Sequence, residues 1–142
     1  MPAAIVNVCV DPRLHHEVLR PQVRTRIQAM GLKADRIFIT NDIGGNIGSA
    51  MRSTLEMLSA ARDTVVLTAV LHHDDCVADT LGRRRSLDSS VRDLTNLLAG
   101  LNLTCPVLSG SILTETSEIV WSDSPWRRLE TFTFRMPRLT GR

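Results

Sequence analysis

Short apolar runs alternate with stretches of helical periodicity along this chain, and that alternation restricts the fold more than any other feature. Ala3 to Val10 is a β-branched run that stops at Asp11-Pro12, and Thr64 to Leu71 is a second, more apolar run that delivers His72 and His73 at its end. Continuous runs of this kind read as strands buried on both faces. Arg36 to Thr40 and Pro106 to Ser109 are shorter strands. Leu14 to Met30 carries Leu14, Val18, Leu19, Val23, Ile27 and Met30 at helical spacing with Gly31 as a stop, and Pro21 inside it predicts a kink or a late start. After a loop from Asn41 to Asn46, a second helix is expected from Gly48 to Ala61 with Met51, Leu55 and Leu58 inward. A third, Ser89 to Leu98, has Val91, Leu94, Leu97 and Leu98 on one face and Gly100 beyond it. Strand and helix in alternation predict an α/β fold: a single domain with a central, mainly parallel sheet flanked by helices on both faces.

The last part of the chain reads differently. Ile112 to Leu113 and Ile119 to Trp121, flanking Thr114 to Glu118, predict a hairpin at the edge of the sheet. Glu130 to Met136 alternates Phe132, Phe134 and Met136 with polar residues, which predicts an additional C-terminal edge strand. Its apolar face needs a cover, from the chain's own sheet or from a partner subunit, so residues 125–142 read as an extension suited to a subunit interface. Trp121 and Trp126 are expected as core or interface anchors. Neither an internal repeat nor a linker divides the 142 residues, which suit one domain spanning 1–142.

Composition narrows the function classes. Charged residues make up 23% and the formal net charge is +2, with acidic residues spread through the chain. The basic clusters, Arg83-Arg84-Arg85 and the tail from Arg127 to Arg142, read as solvated surface, so no nucleic-acid partner is expected. The apolar run Ala3 to Val10 is too short for a membrane span or a signal segment, and no membrane association is expected. Three cysteines is an odd number, which fits a reducing, cytoplasmic setting where thiolates are free to hold metal. Cys105, before Pro106, reads as a small buried hydrophobe.

The remaining two cysteines define a candidate metal site. Cys9 opens Cys9-Val10-Asp11-Pro12-Arg13 at the end of the first strand, and His73-Asp74-Asp75-Cys76 follows the most apolar strand. In parallel α/β sheets, sites gather beyond the carboxyl ends of strands, which places both motifs on one rim. Cys9, His73 and Cys76 together are two thiolates and an imidazole, a three-ligand set that suits Zn2+ and leaves a fourth tetrahedral position open. His72 points to the opposite face of the strand from His73 and is read as a core or surface residue. Asp75 reads either as a carboxylate that orients a ligand or as a solvent-facing acid in a turn.

The two motifs, in this order, resemble those of the β-class carbonic anhydrases. Ile39-Thr40-Asn41-Asp42-Ile43-Gly44-Gly45 resembles that family's Arg-Asn-Ala-Gly loop, and Val70 to Cys76 resembles its His-Thr-Asp-Cys segment. Val107-Leu108-Ser109-Gly110 resembles its last core strand. The resemblance covers roughly Ile5 to Trp121. It implies Cys9, His73 and Cys76 as zinc ligands and the reversible hydration of carbon dioxide to bicarbonate by a zinc-bound hydroxide. It implies Asp11 as the partner of the zinc water, or as a fourth ligand in a closed form, with Arg13 holding Asp11 off the metal. Asn41, Gly44 and Gly45 would border the substrate, and the assembly would be a homodimer or a dimer of dimers.

The chain also departs from that family's pattern. Thr40 stands where the family has arginine, one extra residue separates Asn41 from the glycines, and Val77 replaces the glycine that commonly follows the second cysteine. The segment from Val77 to Ser90 is short. These changes surround the pocket and spare the three candidate ligands, Asp11 and Arg13. They leave two further readings beside carbon dioxide hydration: a zinc hydrolase of carbonyl sulfide or carbon disulfide, and a catalytically silent zinc protein of regulatory or structural role.

Overall fold

The computed structural model describes residues 1–122. The strand expected over Glu130 to Met136, the 125–142 extension and Trp126 therefore lie outside the described residues. Within them the elements run β1 Ala3–Cys9, α1 His16–Ala29, β2 Arg36–Asp42, a 3₁₀ turn Ile43–Gly45, α2 Ser49–Ala60, β3 Val65–His73, α3 Val77–Thr80, α4 Leu87–Gly100, β4 Val107–Leu113 and β5 Glu118–Trp121. The strands form one sheet in the order β2-β1-β3-β4-β5. The first four are mutually parallel, and β5 returns antiparallel to β4 as the edge strand of the expected hairpin.

Strand alternation, interrupted by a register shift in β3 between Val65 and Leu67, divides the core into two layers. Ala4, Val6 and Val8 of β1 and Leu67, Ala69 and Leu71 of β3 face Leu19, Val23 and Ile27 of α1. On the other face, Ala3, Ile5, Val65 and Val70 meet Met51, Leu55 and Leu58 of α2 and Leu94, Leu97 and Leu98 of α4. Both faces of the central strands are covered, which explains why their sequences carry almost no polar alternation. The chain steps from β1 outward to β2, then returns past β1 to β3 and β4. The reversal opens a crevice at the carboxyl ends of β1 and β3, where α/β sheets characteristically hold their sites.

Several boundaries differ from expectation. Asn41 and Asp42 extend β2 rather than opening a loop, pairing with Val8 and Cys9. The reason is a cap: the Asp42 carboxylate accepts from the amides of Gly48, Ala50 and Met51, so the strand must reach the start of α2. β4 runs through Gly110 because the missing side chain is needed within the strand. A Cβ there would lie 2.7 Å from the Val120 carbonyl oxygen. Val18 is exposed rather than inward, since one residue's rotation of about 100° carries it off the face set by Leu19, Val23 and Ile27. Pro21 stands inside α1 instead of delaying its start. The short α3 and the 3₁₀ turn were not anticipated, because neither is long enough to show a period. No helix among the described residues is long and apolar enough to cross a membrane.

Candidate metal centre

Cys9 ends β1, His73 ends β3, and Cys76 precedes α3, so the crevice gathers all three. All are buried, and one ligand atom from each lies within 4.8 Å of the others. The two sulfurs are 4.0 Å apart. Two thiolates on a tetrahedral zinc, each about 2.3 Å from the metal, stand about 3.8 Å apart, so the spacing fits that ion with a small adjustment. On His73, Nδ1 lies 2.9 Å from the Thr114 hydroxyl, while the buried Nε2 has no hydrogen-bond partner among the described residues. A buried, unpartnered imidazole nitrogen beside two thiols is a donor set that fits a cation, and its chemistry suits zinc.

Burial pushes the Cys9 thiol up, against which the backbone amides of Asp11 and Gly44 point at its sulfur and favour the thiolate. Asp11 stands beside the cluster, with Oδ2 3.9 Å from His73 Nε2. Arg13 grips both of its oxygens, Nη2 to Oδ2 at 2.7 Å and Nε to Oδ1 at 3.1 Å, and the Arg13 amide adds a third bond at 2.9 Å. Those bonds hold the carboxyl at about 2, well below its usual range, so Asp11 is an acceptor at any physiological pH.

Asp75 is a solvent-facing acid in a bend, and it pairs with Arg13. Its carboxylate accepts from Arg13 Nη1 and its carbonyl from Arg13 Nη2, each at 2.9 Å, while its own side chain is 78% exposed. Arg13 therefore ties the first motif to the second. His72 lies on the opposite face from His73, buried, with Nε2 3.3 Å from the Ser90 hydroxyl of α4.

The structure places Asn41, Gly44 and Gly45, expected at the substrate, as follows. Asn41 donates to the Cys9 carbonyl at 3.2 Å and lies equally close to His16 Nε2. Gly44 and Gly45 are buried behind the cluster, where Gly44 supplies the amide to Cys9. None of the three lines the adjoining cavity, which has a volume of about 630 Å³ and reaches Cys9, Asp11 and Arg13. Its other walls are mostly apolar, and Val10, Ile43, Val77 and Leu81 around it are 53%, 57%, 63% and 63% exposed. Thr40 is buried and donates to Asn7 Oδ1 at 2.6 Å, and Asn7 in turn donates to the carbonyls of Gly45 and Asn46. Position 40 thus anchors the loop from within. Sequence reasoning missed Asn7, Asp74 and Thr114. A polar residue inside an otherwise apolar strand was the available signal for Asn7.

Fold and site together define an α/β protein of carbonic anhydrase-like architecture with a Cys-His-Cys cluster able to hold a metal ion. Among solved structures the chain is similar to the carbonic anhydrase of Streptococcus mutans, with a TM-score of 0.51 and 21% identity over 84% of this chain and 80% of that one. That likeness is one of fold. Two others are more distant: the carbonic anhydrase of Glaciozyma antarctica, at 0.45 and 17% over 84% of this chain and 80% of that chain, and the N-terminal catalytic domain of TP901-1 integrase, at 0.45 and 13% over 91% and 87%. At those scores neither bears on function. No family model and no curated protein matches the chain.

Proposed function

We propose that the chain is a zinc-dependent enzyme that reversibly hydrates carbon dioxide to bicarbonate, as the resemblance to the β-class carbonic anhydrases implies. The observation that carries this reading is the unpartnered, buried His73 Nε2 beside the Cys9 and Cys76 sulfurs, with Asp11 3.9 Å away. Cys9, His73 and Cys76 would hold the zinc, which when bound would supply hydroxide at neutral pH. Asp11, kept ionised by Arg13, is an acceptor beside the cluster and would take a hydrogen bond from the nucleophile and orient it. Arg13 occupies both carboxylate oxygens and so holds Asp11 away from the ligand position. The apolar walls at Val10, Ile43, Val77 and Leu81 favour a small uncharged substrate over water.

Stopped-flow hydration assays on the zinc-loaded chain test the proposal. Activity should be lost in Cys9→Ser and Asp11→Ala. A silent hydration assay with hydrogen sulfide released from carbonyl sulfide would select the hydrolase reading instead, and full zinc occupancy with neither activity would leave a binding protein. We also propose that a second copy covers the exposed apolar side chains around the cavity, giving the homodimer that the resemblance implies.

A further inference from the structure

Thr114, the first residue after β4, is buried, and its hydroxyl meets three polar atoms. Oγ1 lies 2.5 Å from the Asp74 carbonyl oxygen, 2.8 Å from Asp74 Oδ1 and 2.9 Å from His73 Nδ1. A hydroxyl has one proton to donate. Both Asp74 oxygens only accept, so that proton goes to Asp74, and the oxygen presents a lone pair to the imidazole. Nδ1 must then be the nitrogen that carries hydrogen. In a neutral ring this leaves Nε2 unprotonated, and Nε2 is the buried atom without a partner beside the two cysteines.

The hydroxyl cannot easily turn away. The Thr114 amide donates to the same Asp74 Oδ1 at 2.7 Å, so backbone and side chain grip one carboxylate. The β3–β4 register sets this meeting, because His73 pairs with Ile112 and the two chains continue side by side to Asp74 and Thr114. We infer that Thr114, anchored by Asp74, is a positioning residue that fixes His73 as the Nδ1–H tautomer and aims its Nε2 lone pair at the space between Cys9 and Cys76. Its consequence for metal affinity rests on the zinc reading above, whereas the tautomer itself does not.

Two measurements on the full chain test this. In the metal-free protein, long-range proton–nitrogen correlation spectra of the neutral His73 ring should show a protonated Nδ1 and a bare Nε2. Thr114→Ser should keep that pattern, and Thr114→Val, which retains the shape without the hydroxyl, should give a mixture of tautomers. In chelator competition, Thr114→Val should bind zinc about 10–100-fold more weakly than wild type, with Thr114→Ser close to wild type. A wild-type spectrum with hydrogen on Nε2 overturns the inference even if Thr114→Val fails to fold. So does a folded Thr114→Val that keeps both the wild-type tautomer and the wild-type affinity. Wild-type protein that takes up no zinc would overturn the proposed function, and the spectra would still decide the role of Thr114.

Discussion

Replacing Gly45 by alanine should damage both the fold and the candidate metal centre, and by an amount the structure separates into two parts. Gly45 has φ +74°, where an L residue is strained by about 1–2 kcal/mol. A Cβ at this position would also lie 2.9 Å from the Leu71 carbonyl oxygen and 3.1 Å from the His72 ring, and β3 cannot yield without disturbing the sheet. Overpacking of this kind costs about 1–3 kcal/mol more. Gly31 supplies the control, for its φ is +73° but nothing lies within 4 Å of its Cβ position. Gly31→Ala should therefore lose about 1–2 kcal/mol and Gly45→Ala about 2–5 kcal/mol, read from urea midpoints at constant slope. The turn that carries Gly45 also carries the Gly44 amide to the Cys9 sulfur. Zinc affinity by chelator competition should thus fall in Gly45→Ala and stay near wild type in Gly31→Ala. Equal stability losses in the two variants would refute the contact argument, and an unchanged affinity in Gly45→Ala would refute the coupling of the turn to the cluster.

Burial holds the His72 imidazole down at about 4 from 6.5, so the unfolded chain binds the proton that the folded chain refuses, and stability falls as pH drops from 6.5 toward 4. The full effect is about 3 kcal/mol, and urea unfolding of the metal-free protein should show it as a slope that flattens in His72→Gln; equal slopes would contradict it. Zinc at a hundredfold excess over its Kd should stabilise the fold by about 2.7 kcal/mol, visible as a rise in Tm that chelator reverses and that Cys76→Ser abolishes. Light scattering should report a dimer, and a lysine at either Val77 or Leu81, both exposed beside the cavity, should shift it toward monomer; a wild-type monomer would remove the dimer proposal.

The sheet was legible because β1 and β3 are covered on both faces, and such strands cannot hide their apolar runs. The helices were legible from periodicity, with Met51, Leu55 and Leu58 inward as expected, whereas Val18 is exposed, Val91 is only half-buried and Gly100 lies within α4 rather than beyond it. The approach of Cys9, His73 and Cys76 followed from strand ends meeting on one rim. What stayed hidden depends on register and on loops. Thr114 reaches His73 only through the pairing of His73 with Ile112, a relation no local pattern encodes. Asn41 at the end of β2 and Gly44 and Gly45 in the turn after it are polar or small residues, a description that fits a substrate-binding and a ligand-supporting segment equally well. Their place behind Cys9 is decided by Asn7 and Thr40, from two different strands.

The described contacts divide the site into a fixed part and a variable one. Each donor is backed by a second, independent contact: Cys9 by the amides of Asp11 and Gly44, and His73 by Thr114 at its ring and Arg84 at its carbonyl. Cys76 follows Asp75, whose backbone takes a left-handed φ of 55° and whose carbonyl is held by Arg13. Arg13 joins Asp11 of the first motif to Asp75 of the second, which ties together the two segments that carry Cys9 and Cys76. A donor set supported in this way needs little rearrangement to receive a metal, which lowers the cost of binding. The apolar side chains that line the open cavity take part in none of these contacts. Val10, Ile43, Val77 and Leu81 project from the ends of elements into solvent, and exchanging them alters shape and polarity at the mouth while leaving the cluster and its supports untouched. Selectivity for a substrate is therefore adjustable on this scaffold independently of metal affinity, and the two should separate cleanly when Val77 and Thr114 are varied in turn.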